Sequence, residues 1–245
     1  MILMMQAMMG AATVPPASDP AFDPSAFVFT IRVENDGDSF TWPHRSSTHG
    51  GTGLYDAIFD WGDGSADHFT DTPTAHIYAS AGDYDISVIG VCDAPYFTFH
   101  PDSDKLVEIK QMGSLAGATN WIGAFFLCNN LARVSATDPF GEGVTMINAM
   151  FAACPLLEFT DISQWDVSGV TNARNFLADS SMANPDVSGW DVSSMTNMRG
   201  MFENASSFDR DLSGWCVSLI DSEPDGFATG SALQPQHYPV WGTCP

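Results

Sequence analysis

The chain is poor in basic residues. Its 245 residues include 8 Lys and Arg against 30 Asp and Glu, which gives a formal net charge of -22 at pH 7. A protein of this charge is repelled by phosphate backbones and by anionic lipid surfaces. Nucleic acid is therefore excluded as an expected partner. The hydrophobic content of 44%, with 7 Trp and 17 Phe, is that of a folded protein rather than a disordered one.

The sequence also lacks a recognisable catalytic motif. It has no Gly-Lys-Ser/Thr phosphate loop, and none of its 6 histidines stands in a nucleophile motif with Ser or Cys. The cysteines and histidines do not have the spacing of zinc ligands. We therefore expect a protein that is not an enzyme, with no catalytic residue, cofactor or metal. The less favoured alternative is a glycan-processing enzyme, which would need two carboxylates about 5 to 10 Å apart in a cleft.

Three aspartates are close enough in sequence to suggest a calcium site. They are Asp60, Asp63 and Asp67, around a Gly-Asp-Gly sequence. Their spacing differs from the Asp-x-Asp-x-Asp-Gly of a calcium loop, and Asp and Gly are also the residues that form tight turns. We interpret them as turn residues, and the sequence leaves open whether they bind a cation.

No apolar run is long enough to cross a membrane. The first 12 residues are apolar and rich in Met, but a secretory signal needs a positive start, and the first basic residue is Arg32. Methionine is common at adaptable binding surfaces. We predict a docking peptide that inserts into a neighbouring subunit; a packed strand or an atypical signal are the alternatives. Its apolar residues are Met1, Ile2, Leu3, Met4, Met5, Met8 and Met9.

A proline-rich linker and then a β region follow this segment. Four prolines between residues 13 and 25 oppose both helix and central strand. From Phe27 to Val33 the side chains alternate, with Phe27, Phe29 and Ile31 on one face, as in a half-buried strand.

Three short motifs occur in this β region: Trp61-Gly62-Asp63-Gly64-Ser65, His76-Ile77-Tyr78 and Gly82-Asp83-Tyr84-Asp85-Ile86. Through these motifs, residues 26–93 resemble the polycystic-kidney-disease-type (PKD-like) immunoglobulin-like domain. The resemblance implies a small β-sandwich that serves as a spacer or a carbohydrate-proximal module. Few strand candidates lie between Phe40 and Gly53, so the sandwich could instead share one core with the residues that follow.

A tryptophan returns every 25 residues in the second half of the chain. Trp165, Trp190 and Trp215 each begin a Trp-x-Val-Ser tetrapeptide. Such a period predicts stacked repeats that share one core, because a single 25-residue unit is too small to bury its own apolar face. We predict a core ladder, in which equivalent side chains stack from one repeat to the next. Its members are Trp165, Trp190, Trp215, Phe126, Phe151, Leu177, Phe202 and Phe227.

Each repeat is expected to contain a short strand, a turn and a short helix. The Met-rich piece from Thr196 to Phe202 has apolar residues three and four apart, as in one or two helical turns. A leucine-rich-repeat-like solenoid accommodates this arrangement. The fold class predicted is therefore mainly β with short helices, an immunoglobulin-like sandwich followed by a solenoid.

The repeats resemble the BspA-type leucine-rich-repeat proteins of bacterial and phage surfaces. The resemblance rests on the pattern from Trp190 to Phe202 and on the end of the chain, from Trp215 to Pro245. It implies a solenoid with a C-terminal cap and a role as a surface protein or adhesin. Repeated Asp166/Asp191 and Asn172/Asn197 would form polar ladders, which either support backbone turns or bind a glycan or a cation.

Two of the 5 cysteines flank the cap. A disulfide between Cys216 and Cys244 would fix the last repeat, with a gain of ~3 kcal/mol. Cys128 and Cys154 occupy nearly equivalent places in successive repeats and are either a second bridge or two buried thiols. Cys92 is expected to be buried.

We predict three parts, a docking peptide and linker at 1–25, a PKD-like sandwich at 26–93 and a BspA-like solenoid at 94–245. The predicted function is that of a non-enzymatic phage virion structural protein, in a tail tip, fibre or capsid decoration, that displays a host-recognition solenoid. Its expected location is the virion surface. Its expected partners are other virion subunits, a host glycan or protein, and copies of itself in a symmetric oligomer. The alternative is an exported bacterial adhesin.

Overall fold

A computed structural model describes residues 23–49, 51–116, 118–138 and 140–245. The predicted docking peptide, Met1 to Met9, lies outside these residues. Within the described chain, no helix is long and apolar enough to cross a membrane. The described chain is mainly β, and its helical content consists of single-turn 3-10 helices at Ser47–His49, Ser103–Lys105 and Pro235–His237.

In the described residues, nine strands form two sheets. The strands are β1 Phe27–Val33, β2 Ser39–Phe40, β3 Asp56–Asp60, β4 Ala66–Phe69, β5 His76–Ile77, β6 Gly82–Val91, β7 Leu106–Gln111, β8 Arg133–Val134 and β9 Glu158–Phe159. The larger sheet has the order β4-β3-β6-β1-β7-β8-β9, and β2 pairs with β5 in a separate two-stranded sheet. The two sheets contact each other through Phe29 and Phe40, whose ring centroids are 5.9 Å apart.

Strand β1 lies in the middle of the larger sheet. It pairs antiparallel with β6 on one side and with β7 on the other. The predicted strand is confirmed, but its second face is more buried than the alternation suggests, since Val28 and Thr30 are also buried. The pairing of β1 with β7 continues the sheet beyond residue 93, the predicted end of the sandwich. One hydrophobic cluster extends from Phe27 to Leu233.

Beyond β7 the chain forms parallel rungs, by which we mean successive segments of 25 or 26 residues. Ile109, Val134 and Phe159 are register partners along β7, β8 and β9. On another side of the stack, parallel bridges join Asn120, Met146, Asn172 and Asn197. Successive rungs are thus hydrogen-bonded through their backbones. In this part of the chain, residues about 25 positions apart are therefore paired.

The predicted helix from Thr196 to Phe202 is wrong. Each rung instead has a turn ribbon, a run of consecutive turns in which alternate N–H groups have different partners. Met201 and Glu203 donate to carbonyls three residues back, whereas Gly200 and Phe202 donate to carbonyls of the next rung. A helix would use all of these groups internally and would leave the rungs without these bonds. The apolar spacing of three and four residues fits both structures.

Left-handed residues make the turn ribbon possible. Each rung has two residues of positive φ, four positions apart, for example Ala149 at 52° and Ala153 at 53°. Their N–H groups donate to Arg174 and Ala178 of the next rung. The complete set is Gly123, Leu127, Ala149, Ala153, Asn175, Asp179, Gly200, Asn204, Gly226 and Gly230. Left-handed backbone at non-glycine residues costs about 1 to 2 kcal/mol each, which the bonds between rungs must offset.

The core ladder has one different member. Phe125 donates its N–H to Met150 O, as Phe151 does to Phe176 O, so Phe125 is the equivalent of Phe151. The rings of Phe125 and Phe151 stack with centroids 5.1 Å apart. Phe126 is only partly buried, against exposed Phe99. The prediction of Phe126 was wrong because this rung has 26 residues rather than 25.

The other ladder members are buried. They are Trp165, Trp190, Trp215, Phe151, Leu177, Phe202 and Phe227. The indole Nε1 atoms of Trp190 and Trp215 donate to Ile162 O and Val187 O, each bond being 3.0 Å long. Trp190 and Trp215 thus both fill the core and donate a hydrogen bond to the preceding rung, whereas Trp165 Nε1 is buried without a partner among the described residues.

Cys216 and Cys244 form the predicted disulfide. Cys92, Cys128 and Cys154 are free thiols and are buried. The Cys154 thiol donates to Phe125 O at 3.1 Å, and burial raises its pKa to about 12. Cys128 and Cys154 are therefore two buried thiols rather than a second disulfide.

Candidate recognition surface

The polar residues that the repeats bring to the surface form Asx turns. Asp166 and Asp191 each accept hydrogen bonds through Oδ1 from the backbone N–H and hydroxyl of the serine two residues later, Ser168 and Ser193. Hydrogen bonds from Ser193 hold the pKa of Asp191 below its ordinary value. These carboxylates support turns, which is one of the two roles considered for the polar ladders.

The asparagines of the repeats have the same role. Asn172 Oδ1 accepts from the N–H of Arg174 at 3.1 Å, and Asn197 Oδ1 accepts from Arg199 at 3.2 Å. The threonine hydroxyls next to them donate to carbonyls of the preceding rung, as Thr196 does to Thr171 O. The surface of the rungs is therefore a set of polar columns whose positions are fixed by local hydrogen bonds.

Two of the three aspartates of the first β region, Asp60 and Asp63, support turns, whereas the interpretation of Asp67 as a turn residue is wrong because it lies within β4. Asp60 Oδ1 accepts from Gly62 N–H, Asp63 Oδ1 accepts from Ser65, and Asp67 Oδ2 accepts from the indole of Trp61. Each carboxylate thus has a backbone or side-chain partner. Among the residues that the structure describes, no group of three His, Cys, Asp or Glu residues has the arrangement of a metal site.

The hallmark residues of the PKD-like motifs lie together. The His76 ring stacks on Trp61 with centroids 4.8 Å apart, and Tyr78 OH donates to Trp61 O. His76 Nε2 lies 2.8 Å from Asp63 Oδ2. Desolvation raises the pKa of Asp63, but hydrogen bonds from Ser65 and His76 lower it by more, so that the pKa lies below its ordinary value. This cluster is stabilised from within, because Asp63 is hydrogen-bonded to both His76 and the hydroxyl of Ser65.

Arg45 was not singled out by the sequence. Only 2% of its surface is exposed, and its guanidinium lies 4.8 Å from the centroid of the Tyr96 ring. Its Nη2 donates to Ile122 O at 2.7 Å and its Nη1 to His49 O. Arg45 thus joins the loop after β2 to the first rung. A single Arg in a loop rich in Gly, Ser and His gives no sequence signal for burial.

Among the concave sites of the described residues, one polar cleft lies near the end of the larger sheet. It is a cleft of about 270 Å³ next to β9, between two successive rungs. Its lining includes Asp161, Asp186 and Arg210. Hydrogen bonds from Ser188 hold the pKa of Asp186 below its ordinary value, so that its carboxylate is ionised at neutral pH. The sequence shows Asp161 and Asp186 as equivalent repeat positions but gives no sign of a cleft.

Comparison with known proteins gives one similarity. No curated protein and no solved structure matches the chain. Residues 122–241 match the model of a family described as "Mycoplasma protein of unknown function, DUF285". The matched residues are those of the rungs and the disulfide-linked end, apart from its last residues, so it is this part of the chain that is similar to the DUF285 family.

Proposed function

We propose that this protein is a non-enzymatic recognition scaffold displayed on a surface. The observation that carries the proposal is the parallel stack of rungs. Its core is filled by equivalent aromatic side chains, and its outer surface carries columns of Asp, Asn, Ser and Thr. In such a stack, surface residues can vary without loss of the core, which is the property that a display scaffold needs.

We interpret the stack as a BspA-like, leucine-rich-repeat-like solenoid and the preceding strands as the PKD-like sandwich of the sequence analysis. The 25- and 26-residue rungs and the parallel pairing support the first interpretation. The antiparallel strands and the cluster of Trp61, His76 and Tyr78 support the second. Taken together, the two interpretations make the sandwich a base that continues into the solenoid through the β1–β7 pairing.

The surface that we favour is that of a phage virion. A Met-rich segment at residues 1–12 suits insertion into a neighbouring virion subunit. The disulfide between Cys216 and Cys244 suits a protein that meets an oxidising environment. A bacterial cell surface is the second candidate, and the similarity of residues 122–241 to a family described from Mycoplasma favours it.

Fractionation of the source tests the proposal and separates the two settings. Extracellular particles would be banded on a density gradient and analysed by mass spectrometry for the peptide that begins at Met1. Co-banding with particles is the result expected for a virion protein. Recovery only from the cell envelope would favour the adhesin, and recovery only from the soluble cell interior would contradict surface display.

A further inference from the structure

The parallel part of the larger sheet ends at β9. Thr160 donates its N–H to Val134 O at 2.9 Å, and the equivalent residue in the next rung is Pro185. Proline has no N–H, so it cannot make the corresponding bond to Phe159 O. Among the described contacts, no backbone hydrogen bond joins Phe159 or Thr160 to residues 183–186. The stack therefore opens between these two rungs, and the opening is the cleft of about 270 Å³.

The cleft is lined by two carboxylates, one from each rung. Asp161 uses Oδ1 to accept from Ser163 N–H at 2.9 Å, and Asp186 uses Oδ1 to accept from Ser188 N–H and hydroxyl. In the described contacts, Oδ2 of neither residue accepts a hydrogen bond. Because Oδ1 fixes each side chain in its turn, Oδ2 is a pre-positioned acceptor.

A hydrogen-bond donor spans the same cleft. Arg210 Nη2 donates to Asn184 O at 2.6 Å, which holds the guanidinium in place. Arg210 Nε is buried and has no partner among the described residues. The partly buried ring of Phe159 supplies an apolar wall.

We propose that this cleft binds one neutral pyranose ring of a glycan. Sugar hydroxyls both donate and accept, so they can bond to Asp161 and Asp186 while accepting from Arg210, and the C–H groups of the ring can pack against Phe159. The two ionised carboxylates disfavour acidic sugars by charge repulsion. The proposal rests on the display function proposed above and identifies the substance that the displayed surface recognises.

Binding to the full chain is measured with four neutral probes, the methyl glycosides of glucose, galactose, mannose and N-acetylglucosamine, and with glucosamine as a cationic comparison. Saturation-transfer NMR detects binding and calorimetric titration gives the affinity. Asp186→Asn and Asp161→Asn keep the Oδ1 acceptor of each turn but replace an Oδ2 acceptor with an N–H donor. Asp191→Asn makes the same change in an Asx turn that does not line the cleft.

We expect at least one probe to bind, and its affinity to fall about tenfold or more in Asp186→Asn and in Asp161→Asn, because a hydrogen bond to a charged acceptor is lost. Asp191→Asn should bind as the unmodified protein does. Thermal melting of each variant shows whether it is folded, and the two cleft variants provide independent tests.

Three results would overturn the proposal. They are the absence of binding by every probe, equal affinity in the cleft variants and Asp191→Asn, and binding of glucosamine without binding of any neutral glycoside, which would indicate a cation site. None of these results bears on particle or envelope association, so display could stand while the glycan site fails. A protein found only inside cells would contradict display even if the cleft binds a sugar.

Discussion

The two halves of the molecule satisfy their backbone hydrogen bonds in different ways. In the first half, β1, β3, β4 and β6 pair antiparallel over several residues, for example from Phe27–Val88 to Val33–Gly82. In the second half, strands of two residues give way to turn ribbons whose N–H groups alternate between their own turn and the next rung. The first half depends on a few long pairings, whereas the second depends on one short pattern repeated in register. The stability of the second half should therefore depend more strongly than that of the first half on the residues at equivalent repeat positions.

The largest effect is expected from a charge in the core ladder. Phe202 is fully buried and stacks on Phe208 with centroids 3.9 Å apart. Phe202→Asp should unfold the rungs cooperatively, with a loss of about 4 kcal/mol or more, because an unpaired carboxylate would enter the core. Thermal melting followed by circular dichroism measures this loss. Leu219→Asp, at a residue that is 56% exposed, is the control and should melt normally. An unchanged melting temperature for Phe202→Asp would contradict the register of the ladder.

Removal of the disulfide should have the next largest effect. Cys216→Ser with Cys244→Ser frees a segment closed by a bond between residues 28 apart. We expect a loss of about 3 to 4 kcal/mol in the free energy of unfolding, measured by urea titration. Hydrogen exchange should rise first at the C-terminal end, and the strands of the first half should keep their protection. Equal loss of protection in β1 would show that the two halves unfold as one unit.

A smaller effect tests the turn ribbon. Ala149→Gly should stabilise the protein by about 1 kcal/mol, because glycine adopts positive φ without the clash that alanine has. Ala132→Gly is the control, since Ala132 is exposed and is not among the residues of positive φ. It should destabilise the protein by up to about 1 kcal/mol. Urea titrations of both variants give the comparison, and destabilisation by Ala149→Gly would mean that this residue is not left-handed in solution.

The smallest effect concerns pH. Hydrogen bonds from the following serines lower the pKa of Asp186 and Asp191 in the folded protein, so the unfolded chain binds protons more readily. The stability that these groups contribute is complete above the ordinary carboxylate pKa and is lost as the pH falls through their lower folded values. Because both side chains are largely exposed, we expect a few tenths of a kcal/mol from each. Asp191→Asn should lose less stability between pH 6 and pH 3 than the unmodified protein. An identical loss would show that this carboxylate has no depressed pKa.

The repeat was the part of the fold most open to prediction. Trp165, Trp190 and Trp215 have one spacing and one tetrapeptide, and their burial follows from the need of a 25-residue unit to share its core. The cysteine pair at the C-terminal end was found for a similar reason, since Cys216 and Cys244 enclose the last segment. The error at Phe126 shows the limit of a fixed period, because one added residue moves the ladder to Phe125.

The candidate cleft could not be predicted. Asp161 and Asp186 have a visible structural role in the sequence as the first residues of Asp-x-Ser turns. Their second oxygens matter only because Pro185 interrupts the pairing with β9 and Arg210 reaches across from the following rung. That arrangement depends on which residues of three rungs become neighbours.

The sequence by itself determined the apolar periodicity, the β1 strand, the burial of the repeated tryptophans and the residues of the disulfide. Each of these follows from local alternation or from a repeat spacing that is visible along the chain. The tertiary structure alone decided that the Met-rich pieces form turns rather than helices and that the sheet continues from β1 into the rungs. It also decided that a cleft opens beside Phe159. In each case the outcome depends on hydrogen bonds between segments distant in sequence, which the local pattern does not specify.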